Sequence, residues 1–413
     1  MKIIFASKFY YRRGGLEAYM FKTKKLLEDN GHVVLPFSTN CHENLPSKYG
    51  QYFCDYIDLS SITKTDIAGN LKAVKNMFFN KDAYLKVKNY CEKEKPKILQ
   101  GFGVTKHLSA SIFKAAKECG LKTIMRLSDY ALMCPNSTAL DGADNLCTDF
   151  ECFTNWSYRC LKKKCIKGSL LASIVGLLEV KGNKILNSYK KYVDHWIAPS
   201  MFIRDVFIKY YKIPEEKITY LPIFFDVTNI GVSHEDDGYI LYAGRISKEK
   251  GIRVLLDAVG KEPAIKLRIA GTGPMDEEIR NFIRSKCLNN VEFLGFKEFD
   301  DLQSLIKKSK VVIVPSEWYE NSPNIIAEAY AYGKPVIGSR IGGIPELIRD
   351  NITGLTFEPG NVDDLRAKIE YFQNNPDKVV EMGKNARRFV EQELTAKKHY
   401  EKLVEIYQRV IKS

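Results

Sequence analysis

At 413 residues the chain is long enough for two or three domains, which excludes a single small binding module. A composition of 45% hydrophobic and 27% charged residues, with 27 Gly and 15 Pro, excludes a disordered, collagenous or disulfide-stapled chain. The net charge of +13 is uneven: residues 1–195 hold 31 Lys+Arg against 18 Asp+Glu, and residues 196–413 hold 32 against 32. All of the excess lies in the first half, which points to an anionic partner: nucleic acid, an acidic membrane surface or a phosphorylated substrate. No apolar run reaches the roughly 20 residues that span a bilayer, and Met1 to Ser7 does not read as a cleavable leader, so a cytoplasmic location is expected.

In chain order, an apolar strand at Lys2–Ala6 leads through Lys8-Phe9-Tyr10-Tyr11-Arg12-Arg13-Gly14-Gly15-Leu16-Glu17 into a helical period at Ala18, Phe21, Leu26 and Leu27, then a strand at Val33–Leu35. The same rhythm returns with a strand at Lys97–Gln100, a helix near Leu108–Cys119, and strands at Thr123–Leu127 and Trp196–Pro199. This alternation predicts a parallel sheet. Five of the ten cysteines interrupt it in an excursion at about 134–165: Cys134, Cys147, Cys152, Cys160 and Cys165. Four residues separate Cys147 from Cys152, and Cys160 from Cys165. The set Cys147, Cys152, Cys160 and Cys165 can supply a structural tetrahedral zinc site; the plainer reading is reduced thiols in a loop.

The polar, turn-rich stretch 226–238 reads as a linker, closing a first domain at 1–225. A second series of strands follows at Tyr239–Ala243, Leu267–Ala270, Val291–Leu294, Val311–Val314 and Pro335–Ile337, giving a second α/β domain at 239–395 and a C-terminal helix at 396–413 that can cross back to the first. Two open parallel sheets place ligand sites at the carboxyl ends of their strands, in a cleft between the domains.

Two loops of the second domain carry the chemistry. After Tyr239–Ala243 comes Gly244-Arg245-Ile246-Ser247-Lys248-Glu249-Lys250-Gly251, where Arg245 as a planar fork and Lys250 as a point charge can neutralise a diphosphate. After Val311–Val314 comes Pro315 to Asn324, in which Ser322 is expected as the helix N-cap and Pro323 as the first helical residue, with free N–H groups suited to phosphate. Glu328 lies one and a half turns into that helix and can accept from ribose hydroxyls, while Glu320 precedes it and can reach a sugar. In the first domain Gly14 and Gly15 permit close approach of backbone to a ligand. That loop lacks GxGxxG, as does Gly271-Thr272-Gly273-Pro274, which argues against a dehydrogenase. The dispersed lysines, with no RRM, KH or zinc-finger pattern, argue against nucleic acid.

These residues resemble the large retaining glycosyltransferase family with the two-domain GT-B fold and an E-x7-E motif, here Glu320 and Glu328. The likeness extends over Gly14-Gly15-x-Glu17, Asn30-Gly31-His32-Val33, Ala198-Pro199-Ser200, Arg245 to Gly251, Ala270 to Pro274, Gly333-Lys334-Pro335 and Gly342-Gly343-Ile344-Pro345-Glu346. It implies an acceptor-binding first domain, a nucleotide-sugar-binding second domain, and bacterial polysaccharide-type enzymes as relatives. Arg245 and Lys250 would bind the donor diphosphate with Gly15 and Gly271 nearby, Glu328 the ribose, and Glu320 with Asn321, Ser322, Pro323 and Asn324 the transferred sugar. Arg12, Arg13, Glu17 and Ser128 are the candidate acceptor residues, and Asp129 joins Glu320, Arg245 and Lys250 as a candidate catalytic group. The implied co-substrate is a UDP- or GDP-sugar, with no metal for catalysis because fixed cations carry the developing charge. Expected partners are a saccharide or lipid-linked acceptor and an anionic membrane surface at the inner face of the cytoplasmic membrane. There, Lys162, Lys163, Lys164 and Lys167 precede Leu170, Leu171, Ile174, Val175, Leu177 and Leu178, and Lys181 and Lys184 follow. The same leucines can instead be a packed face. Two departures stand out: Ser128-Asp129 where many relatives place His before Asp, and Pro222-Ile223 where they have Asn after Pro. The opposing reading is a non-catalytic sugar-nucleotide or polysaccharide-binding protein of the same fold.

Overall fold

The computed structural model describes residues 1–56, 74–155, 157–228, 230–233, 236–260 and 262–413, with Phe299 by its backbone only. The linker positions 229, 234 and 235 lie outside the described residues. The chain divides into two units, Met1–Leu221 with Tyr400–Ser413, and Pro222–His399.

Short runs of β-branched and aromatic residues form the first unit's strands: Lys2–Ser7 (β1), Val33–Phe37 (β2), Thr39–Asn40 (β3), Cys54–Asp55 (β4), Ile98–Phe102 (β5), Lys122–Arg126 (β6), His195–Ala198 (β7) and Ile218–Tyr220 (β8). Six of these form one parallel sheet in the order β2-β1-β5-β6-β7-β8, and β3 pairs with β4 in a separate two-stranded ribbon. The strands are buried on both faces, as parallel sheets covered by helices require. Residues 400–413 of the last helix, Ala396–Lys412, belong to this unit. There the Tyr407 hydroxyl donates to the buried Gln100 side chain, and Arg409 donates to Thr219 Oγ1 at 2.7 Å.

The second unit repeats the design with Tyr239–Ala243 (β9), Lys266–Ala270 (β10), Val291–Gly295 (β11), Val311–Val314 (β12), Val336–Ser339 (β13) and Gly354–Phe357 (β14), all parallel in the order β11-β10-β9-β12-β13-β14. Its core gathers Ile240, Leu255, Leu267, Ile313, Phe357 and Leu365 from strands and covering helices. The strand order reverses between β9 and β12, so the loops that leave their carboxyl ends flank the point where doubly wound sheets bind ligands.

The expected boundary at 225 moves to Leu221/Pro222, because residues 222–225 are tied to the second unit. The Pro222 carbonyl lies 3.0 Å from His399 Nδ1, the Phe225 N–H donates to Leu394 at 2.8 Å, and the Phe224 ring packs on His399. The same contacts carry the second unit past 395 to His399. Four strands, β3, β4, β8 and β14, had no expectation in the sequence: the first two are two residues long, the third is three, and the last opens on Gly354.

Candidate functional site

In the second unit the β9 and β12 loops are stitched together by backbone. The Glu317 N–H donates to the Glu249 carbonyl at 2.9 Å, and Gly251, at φ +69°, lies so close to Pro315 that a Cβ would come within 1.8 Å of its carbonyl oxygen. Only glycine fits there. Gly271, at φ +147°, brings the β10 loop equally close to Gly244.

This stitching delivers Lys250 to Glu320. Their side chains form an ion pair, Ser316 Oγ donates to Glu320 Oε1 at 2.9 Å, and Lys250 Nζ sits 5.2 Å from the centre of the Trp318 ring. Glu320 is 8% exposed. Burial pushes its carboxyl up, but the Lys250 ammonium and the hydrogen bonds it receives outweigh that and hold it below the usual carboxylate range. The result is a desolvated, ionised carboxylate with a cation beside it. Arg245, on the same loop as Lys250, is exposed and forms no ion pair among the described residues. Its carbonyl accepts from the Tyr242 hydroxyl at 2.7 Å, which fixes the loop below it.

The helix after the β12 loop spans Asn324–Ala331, not from Pro323. Pro323 has the helical φ of −65° but an extended ψ of 117°, so it is the N-cap and the helix opens one residue later. Ser322 makes no capping bond; its Oγ is buried without a hydrogen-bond partner among the described residues. Asn321 precedes it, and Glu328 is half-buried as the fifth residue of the helix. The structure thus joins Lys250 to Glu320 directly and sets Arg245, Asn324 and Glu328 on the same pair of loops and the helix that follows.

In the first unit the β1 loop ends at Gly14, and the helix Gly15–Asp29 starts there with no side-chain cap. Glu17, in its first turn, is buried, and burial pushes its carboxyl up despite Arg13 and Lys8 nearby. Arg12 and Arg13 are exposed, with Arg13 stacked 4.9 Å from the centre of Phe9. After β6, Ser128 and Asp129 are half-buried, and Asp129 Oδ1 accepts from the Ala131 N–H at 2.9 Å. Burial raises the Asp129 carboxyl, with the Ala131 N–H and Lys106 opposing. Sequence reasoning missed two partners here. Lys106 donates to the Pro135 carbonyl and Ser137 Oγ, both at 2.9 Å, and Glu179 is a buried carboxyl pushed up to about 7, first by burial and also by Asp129, against Lys106. Glu179 is the one acidic residue between Glu151 and Asp194, set in an apolar helical run, and that isolation was its signal.

The helix Leu170–Leu186 is turned the other way from a packed leucine face. It buries Ser173, Gly176, Leu177 and Val180 and exposes Leu170, Leu171, Ile174 and Leu178. Lys162, Lys163, Lys164 and Lys167 are exposed ahead of it, whereas Lys181 is buried over the Tyr158 ring and Lys184 donates to the Phe153 carbonyl. The last two therefore do not belong to the expected basic surface. No described helix is long and apolar enough to cross a membrane.

Residues 227–389 match the model of the family Glycosyl transferases group 1. Two uncharacterized glycosyltransferases of Methanocaldococcus jannaschii are 33% and 31% identical over 37% and 45% of this chain, and 43% and 54% of their own, so the chain spans about half the length of these curated relatives. An uncharacterized 42.6 kDa protein in the cps region of Klebsiella pneumoniae is 24% identical over 89% of this chain and 96% of its own. Among solved structures, Anabaena HepE in complex with UDP-glucose superposes with a TM-score of 0.69 at 18% identity, covering 99% of this chain and 100% of that one. The match to Glycosyl transferases group 1 thus falls within the second unit, and the chain shares its two-domain parallel-sheet fold, GT-B, with these solved structures.

Proposed function

We propose that the protein is a retaining glycosyltransferase that moves a sugar from a UDP- or GDP-sugar to a saccharide or lipid-linked acceptor in envelope or capsular polysaccharide synthesis. The observation that carries the reading is the ion pair of half-buried Lys250 with buried Glu320 at the strand-order reversal, with exposed Arg245 on the same loop as Lys250. The UDP-glucose complex of HepE and the cps-region relative agree with it.

In this reading the donor diphosphate takes Arg245 and Lys250 as its counter-charges, with the N–H groups at the start of Asn324–Ala331 beside them. Glu328 accepts from the ribose hydroxyls. Glu320, with the backbone of Asn321 to Asn324, accepts from the hydroxyls of the transferred sugar. In the first unit, Gly14 and Gly15 are assigned to donor binding, Asp129 to catalysis, and Arg12, Arg13, Glu17 and Ser128 to the acceptor. The bond from the anomeric carbon to the phosphate oxygen breaks as the acceptor oxygen bonds to the same face. The acceptor's proton passes to the departing phosphate oxygen. Fixed cations stabilise that charge without reorganising, so activity is expected to survive brief chelation of Mg²⁺ and Mn²⁺.

The exposed Leu170, Leu171, Ile174 and Leu178, led by four exposed lysines, support docking on an anionic bilayer, where each Lys contributes about 1 kcal/mol. Flotation with vesicles containing anionic lipid, lost at high salt and in Leu171→Gln/Leu178→Gln, is the expected outcome; no flotation at low salt removes the membrane from the account.

A panel of UDP- and GDP-sugars, assayed for hydrolysis and for transfer with the product anomer read by NMR, tests the reading. One donor turned over with retained configuration is expected. Donor-dependent stabilisation without turnover would make the protein a binding protein, and an inverted product would overturn the mechanism.

A further inference from the structure

Between β6 and β7 the chain makes an excursion with little regular structure to hold it. Residues 134–169 contain only two four-residue helices among the described residues, Glu151–Thr154 and Arg159–Lys162. In the same stretch Ser137, Ala139, Asp144, Phe150, Lys164 and Lys167 all have φ between +47° and +70°. Left-handed non-glycine residues cost on the order of 1 kcal/mol each and persist where surrounding contacts over-determine them. Gly142 lies so close to the Lys163 backbone that a Cβ would come within 1.7 Å of its carbonyl oxygen, so the two arms of the excursion are drawn tightly together.

Where the arms meet there is a cavity of about 20 Å³, and all five cysteines of the segment line it: Cys134, Cys147, Cys152, Cys160 and Cys165. None of the chain's ten cysteines is in a disulfide. The space holds one small ion or water, and thiols crowd its wall. Cys134 Sγ donates to Asn136 Oδ1 at 2.8 Å and Cys160 Sγ to the Ser173 carbonyl at 4.0 Å, but Cys134 alone has no cysteine partner at the four-residue spacing. The other four come in two pairs with the same four-residue spacing, one pair on each arm.

We propose that this cavity is a structural zinc site, with Zn²⁺ held by Cys147, Cys152, Cys160 and Cys165. Binding replaces four S–H bonds by four Zn–S bonds and releases four protons, leaving a centre of net charge −2. Arg159, Lys162, Lys163, Lys164 and Lys167 surround it in sequence, and Arg159 and Lys163 already lie 3.7 and 3.9 Å from the buried Asp141 carboxylate. Zn–S bonds of about 2.3 Å bring the sulfurs within about 4 Å of one another. Among the described residues the only three ligand atoms within 4.8 Å of one another are those of Cys41, His42 and Glu43, on the surface, so the four sulfurs close in by side-chain rotation when the ion enters. The ion then supplies the contacts that the irregular backbone lacks. This proposal does not depend on the glycosyltransferase reading.

The test is the metal content of the untagged full chain, purified under reducing conditions without chelator and measured by inductively coupled plasma mass spectrometry. One zinc per chain is expected, falling below one tenth in Cys147→Ser/Cys165→Ser and staying at one in Cys41→Ser/Cys287→Ser. Should the first double variant fail to fold, Co²⁺ exchanged into the wild type reads the ligands directly, with tetrahedral bands and thiolate charge transfer expected. Zinc below one tenth in the wild type with no uptake on refolding with zinc, loss of zinc in Cys41→Ser, iron with acid-labile sulfide, or a cobalt spectrum without thiolate bands would each overturn it.

Discussion

The loops at the strand-order reversal of the second unit and the β6–β7 excursion of the first hold comparable sets of reactive side chains, and they hold them by opposite means. Lys250 and Glu320 stand on short loops between regular elements, pinned by backbone contacts that admit only glycine at 251. Residues 127–194 run 68 positions between strands, turn a helix's leucines outward, bury Glu179 and enclose one small cavity lined by five cysteines. A rigid scaffold lets charges be placed for chemistry. An irregular one spends its polar and sulfur groups on holding its own shape.

The largest expected effect is on the side of the comparison where charge is placed. On the proposed roles, Arg245→Ala and Lys250→Ala each remove a counter-charge to the departing diphosphate, with an expected loss of about 2 to 4 kcal/mol of transition-state stabilisation, roughly 30- to 1000-fold in kcat/KM. Lys250→Ala also leaves Glu320 buried without its partner, so its melting temperature should fall, while Arg245→Ala, an exposed change, should melt like wild type. Equal losses of stability in both variants would mean that the two cations are not placed differently.

In the excursion, Glu179 gives the next effect. Its carboxyl is pushed up to about 7 from an unfolded value of 4.5, so the folded state binds the proton more tightly. The stability tied to that proton is fully present below pH 4.5 and is lost as pH rises to about 7, amounting to roughly 3 kcal/mol. Glu179→Gln should therefore be more stable than wild type at pH 8 and equal to it near pH 4.5. Urea midpoints across that range check the sign, and parallel curves for the two proteins would contradict it.

How much of this was legible in the sequence follows the same division. In the second unit, apolar strands ending at Ala243 and Val314 gave the loops, and the charges on them gave the candidate residues. The helix start was misplaced by one residue, because proline's fixed φ is shared by helix and extended chain and its ψ is not written in the sequence. In the first unit, Asp129 and Ser128 were singled out from their place after β6. Lys106 and Glu179 were not, since the interactions that gather them with Asp129 cross 23 to 73 positions of chain. The helix Leu170–Leu186 shows the limit of periodicity: its apolar face was legible, and the side on which it lies was not.

A smaller effect separates the two glutamates of the β12 region. Glu328→Ala should weaken donor binding about tenfold, ~1.4 kcal/mol, and leave kcat near wild type, while Glu320→Ala should lower kcat more than it weakens binding. Titration calorimetry with the donor beside steady-state kinetics distinguishes them, and the reverse pattern would exchange their roles.

The most direct measurement of the central claim is the thermal shift of wild type, Arg245→Ala and Lys250→Ala with UDP and with GDP. A nucleotide at about 100 times its dissociation constant stabilises by about 2.7 kcal/mol, a shift of several degrees. The account predicts that shift in wild type with one of the two nucleotides and its loss in both variants. An undiminished shift in both variants would show that the diphosphate does not sit at the β9 loop.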